Sequence, residues 1–306
     1  MAGVFITVGR SNRLKISVPY RISSRGQIPS MHPYLLIFWR YLLVLSLIAS
    51  HPVHAGNAIG APPNLTVPRL SVEPRVTANI NDPAWQKAAN TGPFSFAVDR
   101  PDDARIPAGA RLPSTHVRVG WSPRALYIRF ICEDDDIYSP MSGPEQNYYL
   151  ADSVETFIDP VGDQRQWIEL VVSPDNGVLH ILHIYTAPRA PYDANGVITS
   201  GQEMWNIMGW TGLKDVRTAT ARWKDAQGKS GWLVDVAFPP SLLQRLNFSH
   251  FQPMTLRANF VRNDYQFTPR SPTSRKLVPS NWSPTLNSMP HYSPQRMGYL
   301  HLVSEK

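Results

Sequence analysis

Short runs in which every second residue is apolar, each closed by turn-forming residues, fill the chain from about residue 115 onward and leave little room for anything but strands. Nine such runs are read: Val117–Trp121, Ala125–Glu133, Ser153–Asp159, Trp167–Ser173, Leu179–Tyr185, Val216–Trp223, Gly231–Phe238, Leu256–Arg262 and Tyr299–Val303. Ser122-Pro123, Pro174-Asp175-Asn176-Gly177 and Gln227-Gly228 supply turns between them. A parallel sheet needs a crossover, usually helical, after each strand, and the 29 prolines interrupt any long helix. The expectation is an all-β fold, an antiparallel β-sandwich of jelly-roll or immunoglobulin-like type with two short helices and long loops. One helix is placed at Pro83 with Asp82 as its cap, the other at Pro239-Pro240. The long loops are 186–212 and 264–294; their aromatic content favours function over disorder.

Charge separates the chain into unequal parts. Of the 30 Lys and Arg, six lie in residues 1–55, which hold no Asp or Glu, leaving 24 cations against 23 anions beyond them. Nearly all of the net charge of +7 therefore belongs to the front segment, and with no basic stripe on the rest, nucleic acid is not expected as a partner. Tyr34–Arg40 with one cation, the apolar run Tyr41–Ala49, and Val53-His54-Ala55 before Gly56 fit a secretory signal peptide. The apolar run is too short for a membrane span of about 20 residues, so no stable membrane insertion is expected after cleavage. The expected organisation is a signal region over 1–55, with Met31 as an alternative start, a flexible leader over 56–71, and the sandwich over 72–306. The location expected is secreted or periplasmic.

Several residues draw attention on chemistry alone. The single cysteine, Cys132, alternates with Leu126, Ile128 and Phe130 and is read as a buried filler. Trp85, Trp121, Trp167 and Trp232 lie in periodic segments and are assigned to packing. Glu155 shares a strand face with Phe157 and Asp159, so that face opens to a cleft or holds a cation such as Arg262. Glu133-Asp134-Asp135-Asp136 is either a solvated acidic turn or an oxygen-rich calcium site, for which Asp134 and Asp136 are the candidate ligands.

A set of segments in order resembles the family 9 carbohydrate-binding modules: Ile80-Asn81-Asp82-Pro83-Ala84-Trp85, Leu126-Tyr127-Ile128 running into Cys132-Glu133-Asp134, Asp152-Ser153-Val154-Glu155-Thr156-Phe157-Ile158-Asp159-Pro160, the pair Asn259 and Arg262, and Trp282-Ser283-Pro284 followed by His291 and Met297-Gly298-Tyr299-Leu300. The resemblance implies a β-sandwich that binds glycans in a slot between two aromatic side chains, commonly with structural calcium. It places one wall at Tyr149 and the other at His291 or Tyr292, where the best-known members have Trp, and makes Glu155 the sugar-binding carboxylate. Where those members carry a basic residue on the next strand this chain has Glu169, so the cation's role passes to Arg262.

A pyranose has apolar faces and a rim of hydroxyls, which call for flat aromatic plates and planar polar groups. Tyr149, His291, Tyr292 and Trp282 are the candidate plates; Glu155, Arg262 and Asn259 are the candidate rim. The function expected is a secreted, non-catalytic carbohydrate-binding module that serves polysaccharide breakdown, with a carbohydrate as ligand and separate glycoside hydrolases as partners. The alternative is a glycoside hydrolase acting on plant-type polysaccharides, for which Glu155 and Glu169 on neighbouring strands form the best carboxyl pair.

Overall fold

The computed structural model describes residues 60–97, 106–185, 204–213, 215–285 and 293–304. The signal region 1–55, leader residues 56–59, and His291 and Tyr292 lie outside the described residues. The described residues form fourteen strands: β1 Asn64–Pro68, β2 Ala89–Asn90, β3 Ser95–Phe96, β4 Thr115–Ser122, β5 Ala125–Glu133, β6 Ser153–Asp159, β7 Gln166–Val172, β8 Val178–Tyr185, β9 Met204–Met208, β10 Arg217–Lys224, β11 Ser230–Phe238, β12 Met254–Thr268, β13 Ser271–Asn281 and β14 Gly298–Val303. The described helical turns are short 3-10 segments. At Pro83–Trp85 the Asp82 side chain caps the Ala84 amide, and Pro240–Leu246 begins with proline.

The strands form two sheets. The larger runs β1-β14-β12-β6-β7-β8-β9, with β13 beside β12 and β3 beside β13; the smaller runs β10-β11-β5-β4-β2. All described pairings between strands are antiparallel except β1 with β14. That pairing puts part of the expected leader into the sandwich as a strand, so the leader is not free over 64–68. β12 is long enough to serve β14 with its first half and β13 with its second, while its other edge pairs with β6 from Arg257 to Asn263.

Alternation places Val154 and Ile158 of β6, Ile168 and Leu170 of β7 and Phe260 of β12 in the main core, facing Ile128 and Phe130 of β5. Phe130 and Phe260 meet edge to face at 5.8 Å and 87°. Cys132 is fully buried there, and burial pushes its thiol up to about 12, so it packs as an inert apolar side chain. Trp85, Trp121, Trp167 and Trp232 are all buried.

The far side of the smaller sheet is closed by the segment around 70–90. Leu70, Trp85 and Ala88 pack on Ala125, Tyr127 and Ala237. Under them Arg129 forms a two-pronged ion pair with Asp235 at 2.6 and 2.9 Å, the Trp85 ring covers the guanidinium at 4.6 Å, and Asp235 accepts the Ala78 amide at 2.8 Å. Removing one partner of a buried pair strands the other charge at a cost of about 3–5 kcal/mol. Asp235→Ala is therefore expected to lower the melting temperature by on the order of 10 °C, read by thermal circular dichroism; an unchanged midpoint would show that the pair carries no stability.

Candidate functional site

The face of the larger sheet turned away from the smaller one carries a polar row beside two buried apolar clusters, Phe157, Trp167, Tyr185, Val261 and Met297 in one and Tyr148, Val171, Leu179 and Ile181 in the other. Register sets it. Glu155 stands opposite Val261 and Val171, Phe157 between Asn259 and Glu169, Glu169 beside Ile181, and His183 between Trp167 and Asn206. Asn263, Glu155, Glu169, His183 and Asn206 thus form a diagonal line across five adjacent strands, β12 to β9. The Asn263 amide donates to Glu155 Oε1 at 2.6 Å, Glu169 Oε2 meets His183 Nε2 at 2.7 Å, and His183 Nδ1 meets Asn206 Oδ1 at 2.8 Å. Trp167 and Phe157 stack on the His183 ring at 5.5 and 6.3 Å. Asn206 carries the row out to solvent, while Glu155 and Glu169 are only 5% and 4% exposed.

Burial without a counter-charge governs the chemistry of this row. Burial and then the neighbouring Glu169 push Glu155 well above the usual carboxylate range, against one opposing hydrogen bond from Asn263. Burial alone pushes Glu169 up to about 8. The same cause drives His183 down to about 4, so its ring stays neutral. With His183 Nδ1–H donating to Asn206, Nε2 is left as an acceptor, and a protonated Glu169 supplies the hydrogen between them. Tyr265, at the same face, donates its hydroxyl to the Tyr149 carbonyl at 3.1 Å; burial and then Glu155 raise its phenol.

The expected site residues are therefore only partly brought together. Tyr149 is half-buried at the rim, tied through Tyr265 to the face that holds Glu155. Asn259 lies on that face, but its amide is spent as a bracket, donating to the Ser283 carbonyl and accepting the Ser283 amide, so it is not free for a rim. Arg262 is a correction: because Val261 is the residue opposite Glu155, Arg262 points through the sheet to the other side. There it donates to Thr115 Oγ1, the Glu133 carbonyl and Asp134, binding the two sheets together. Trp282 is also a correction, since it packs on Phe260 in the core and its ring lies where a side chain on Gly298 would be. Asn263, Tyr265, His183 and Asn206 were missed. The first two were missed because the strand is read as ending at Arg262 with a long loop from 264, whereas β12 runs on to Thr268.

The acidic run has cations of its own. Glu133 pairs with Lys229 at 3.1 Å, Asp134 with Arg262 at 3.0 Å, Asp135 with Arg111 at 3.0 Å and Asp136 with Arg275 at 2.6 Å. Asp136 therefore turns away from Asp134. The carboxylates that do converge, within 4.8 Å of one another, are Asp134, Asp152 and Asp264. They fit calcium poorly. Asp134 already accepts Arg262, Trp232 Nε1 and the Asp136 amide, and both Asp152 oxygens accept backbone amides, from Tyr138 and Tyr265. Calcium wants six to eight free oxygens, and here the Arg262 guanidinium already stands against Asp134 at 3.0 Å and Asp264 at 3.5 Å.

The fold this geometry defines is a two-sheet β-sandwich with a polar outer face. It is shared with a crystal structure described as a "putative carbohydrate-binding protein" from Bacteroides uniformis, at 14% identity and TM-score 0.57 over 79% of this chain and 100% of that one. Family 9 carbohydrate-binding modules from Caldicellulosiruptor kristjanssonii, in complex with glucose and with cellotriose, superpose over the same share of this chain. Their TM-scores are 0.48 and 0.45, at 14% and 15% identity, over 97% and 95% of their own chains. No protein-family model matches the sequence, and the search of curated proteins found no match. Among the described residues no helix is long and apolar enough to cross a membrane.

Two outcomes follow from these groups. Asp152, Glu155 and Glu169 all bind protons more tightly when folded, with Asp152 pushed up to about 7 by burial, so the folded state takes up protons as pH falls through 8. Stability from these groups is thus lost as pH rises, and His183 opposes the trend only below its unfolded value near 6.5. The melting temperature is expected to rise between pH 8.5 and 6.5, with Glu169→Gln flattening the slope; a rise in the opposite direction would contradict the assignment. Chelation by EDTA is expected to leave the melting temperature within about 2 °C, whereas a fall of many degrees would reveal a structural ion.

Proposed function

We propose that this chain is a non-catalytic carbohydrate-binding module whose site is the outer face of the larger sheet. Glu155 and Asn263 address the hydroxyl rim of a sugar there, and Tyr149 and Tyr265 form its aromatic edge. The observation that carries this reading is the diagonal polar row. Burying two carboxyls without a counter-charge among the described residues costs stability, and a binding site is a reason for a sheet face to bear that cost. Flat rings beside planar acceptors suit a pyranose. The description of the Bacteroides uniformis protein that shares the fold supports the same class. Export through the 1–55 segment and service beside separate hydrolases belong to this proposal and rest on the sequence.

Calorimetry with glucose, cello-oligosaccharides, xylo-oligosaccharides and amino-sugar oligomers is expected to give saturable binding. Glu155→Gln should weaken it at least tenfold while the melting temperature stays within a few degrees. Absence of binding across a broad glycan panel would refute the reading. A second reading, glycoside hydrolysis, is favoured by one observation: Glu155 and Glu169 share a face on adjacent strands, and burial keeps a proton available to a general acid. Release of reducing ends from a polysaccharide, abolished in Glu169→Gln, would establish it in place of simple binding.

A further inference from the structure

Away from the polar row, one imidazole is held in place with half of its bonding capacity unused. His180 of β8 is 8% exposed; its Nδ1 meets Glu145 Oε1 at 2.5 Å, and its backbone amide donates to Glu145 Oε2 at 3.0 Å. The Glu145 amide donates in turn to the Val178 carbonyl at 3.2 Å, which ties this loop to the start of β8. His180 Nε2 is buried and has no hydrogen-bond partner among the described residues. That atom accepts in the neutral ring and donates in the charged one, so in either state it calls for a partner. Leaving it without one costs stability.

His180 also lines a cavity of about 400 Å³, bounded by the loop 141–145, the turn at 175–177 and the start of β8. Ligand pockets begin at roughly 300 Å³, so a sugar ring fits. The lining sorts ligand classes. Glu145 and Asp175 disfavour an anion, and a metal ion finds few free ligands because Glu145 is held by His180 and Asp175 by Arg222 at 3.2 Å. An apolar molecule would leave Nε2 unpaired. A hydroxyl both donates and accepts and so satisfies Nε2 in either state, while Met141, Pro144, Tyr148 and Val178 offer apolar surface to the C–H face of a ring. The cavity adjoins the proposed site through Tyr148, which packs with Val171 and Ile181, the residues opposite Glu155 and Glu169; Tyr149 packs on the same cluster.

We propose that this cavity is a second saccharide subsite, in which the unit next to the one held at Glu155 pairs a hydroxyl with His180 Nε2. The inference rests on the carbohydrate-binding reading above and makes its ligand an oligosaccharide rather than a single sugar. The full chain is titrated in a calorimeter with the monomer, dimer and trimer of the cello-, xylo- and amino-sugar series and of any other glycan that binds. In at least one series the trimer is expected to bind at least tenfold more tightly than the monomer. His180→Asn, whose amide keeps the position of Nδ1 and loses that of Nε2, is expected to remove this gain and change monomer binding less than about twofold. His180→Gln, whose amide reaches the Nε2 position, is expected to keep part of the gain. Thermal melts confirm that both variants fold, and nitrogen-15 NMR of the wild-type imidazoles supplies a readout free of mutation: the His180 Nε2 resonance is expected to move with the trimer and not with the monomer. Equal affinity of monomer and trimer in every series, a gain that survives His180→Asn, equal loss in both variants, or an unmoved Nε2 resonance overturns the inference and leaves the carbohydrate-binding reading standing. Binding of no sugar at all overturns both.

Discussion

Glu155 and Glu169 cannot both be ionised where they stand. They are buried on one face of one sheet, on adjacent strands, with no guanidinium or ammonium beside them among the described residues. A folded protein tolerates such an arrangement only by keeping protons on the acids or by admitting a cation from outside. Burial likewise keeps His183 neutral, which sets the hydrogen-bond polarity from Asn206 through to Glu169, and burial followed by Glu155 raises the phenol of Tyr265.

The sandwich makes the imbalance possible by dividing labour within single strands. Alternate residues of β6, Val154, Thr156 and Ile158, face the smaller sheet, while Glu155, Phe157 and Asp159 face away. The same alternation in β12 sends Phe260 and Arg262 inward and Val261 and Asn263 outward. Stability is supplied on the inner side by the aromatic and aliphatic core, by Arg262 clamping the acidic run, and on the far side of the smaller sheet by Arg129 and Asp235. The outer face of the larger sheet can then carry groups that packing alone would reject.

Much of the scaffold was legible in the sequence, because period-two hydrophobicity is a direct readout of a half-buried strand. The runs at Ala125–Glu133 and Ser153–Asp159 coincide with β5 and β6. β1 and β13 were not legible, for a common reason: Pro63, Pro68, Pro272 and Pro279 mark a loop in the sequence, yet proline fits the ends and edges of a sheet where no ladder hydrogen bond is asked of it. The site was half legible. Glu155 and its face could be read from one strand, but whether Arg262 belongs with it depends on the register between β12 and β6, and a shift of one residue reverses the answer. The cations beside the acidic run were not legible for a similar reason: Lys229, Arg262, Arg111 and Arg275 come from distant parts of the chain, and no local pattern announces them. Trp282 has the composition of a binding aromatic; only its contact with Phe260 assigns it to the core.

The measurement that bears most directly on this account is a carboxyl carbon-13 NMR titration of the ligand-free protein, with Glu155 and Glu169 assigned through their Gln variants. At least one of the two is expected to remain protonated at pH 7 and to titrate near 8. If both instead titrate together near 4.5, the pair has a counter-charge or open solvent, and the electrostatic basis of the proposed site is wrong.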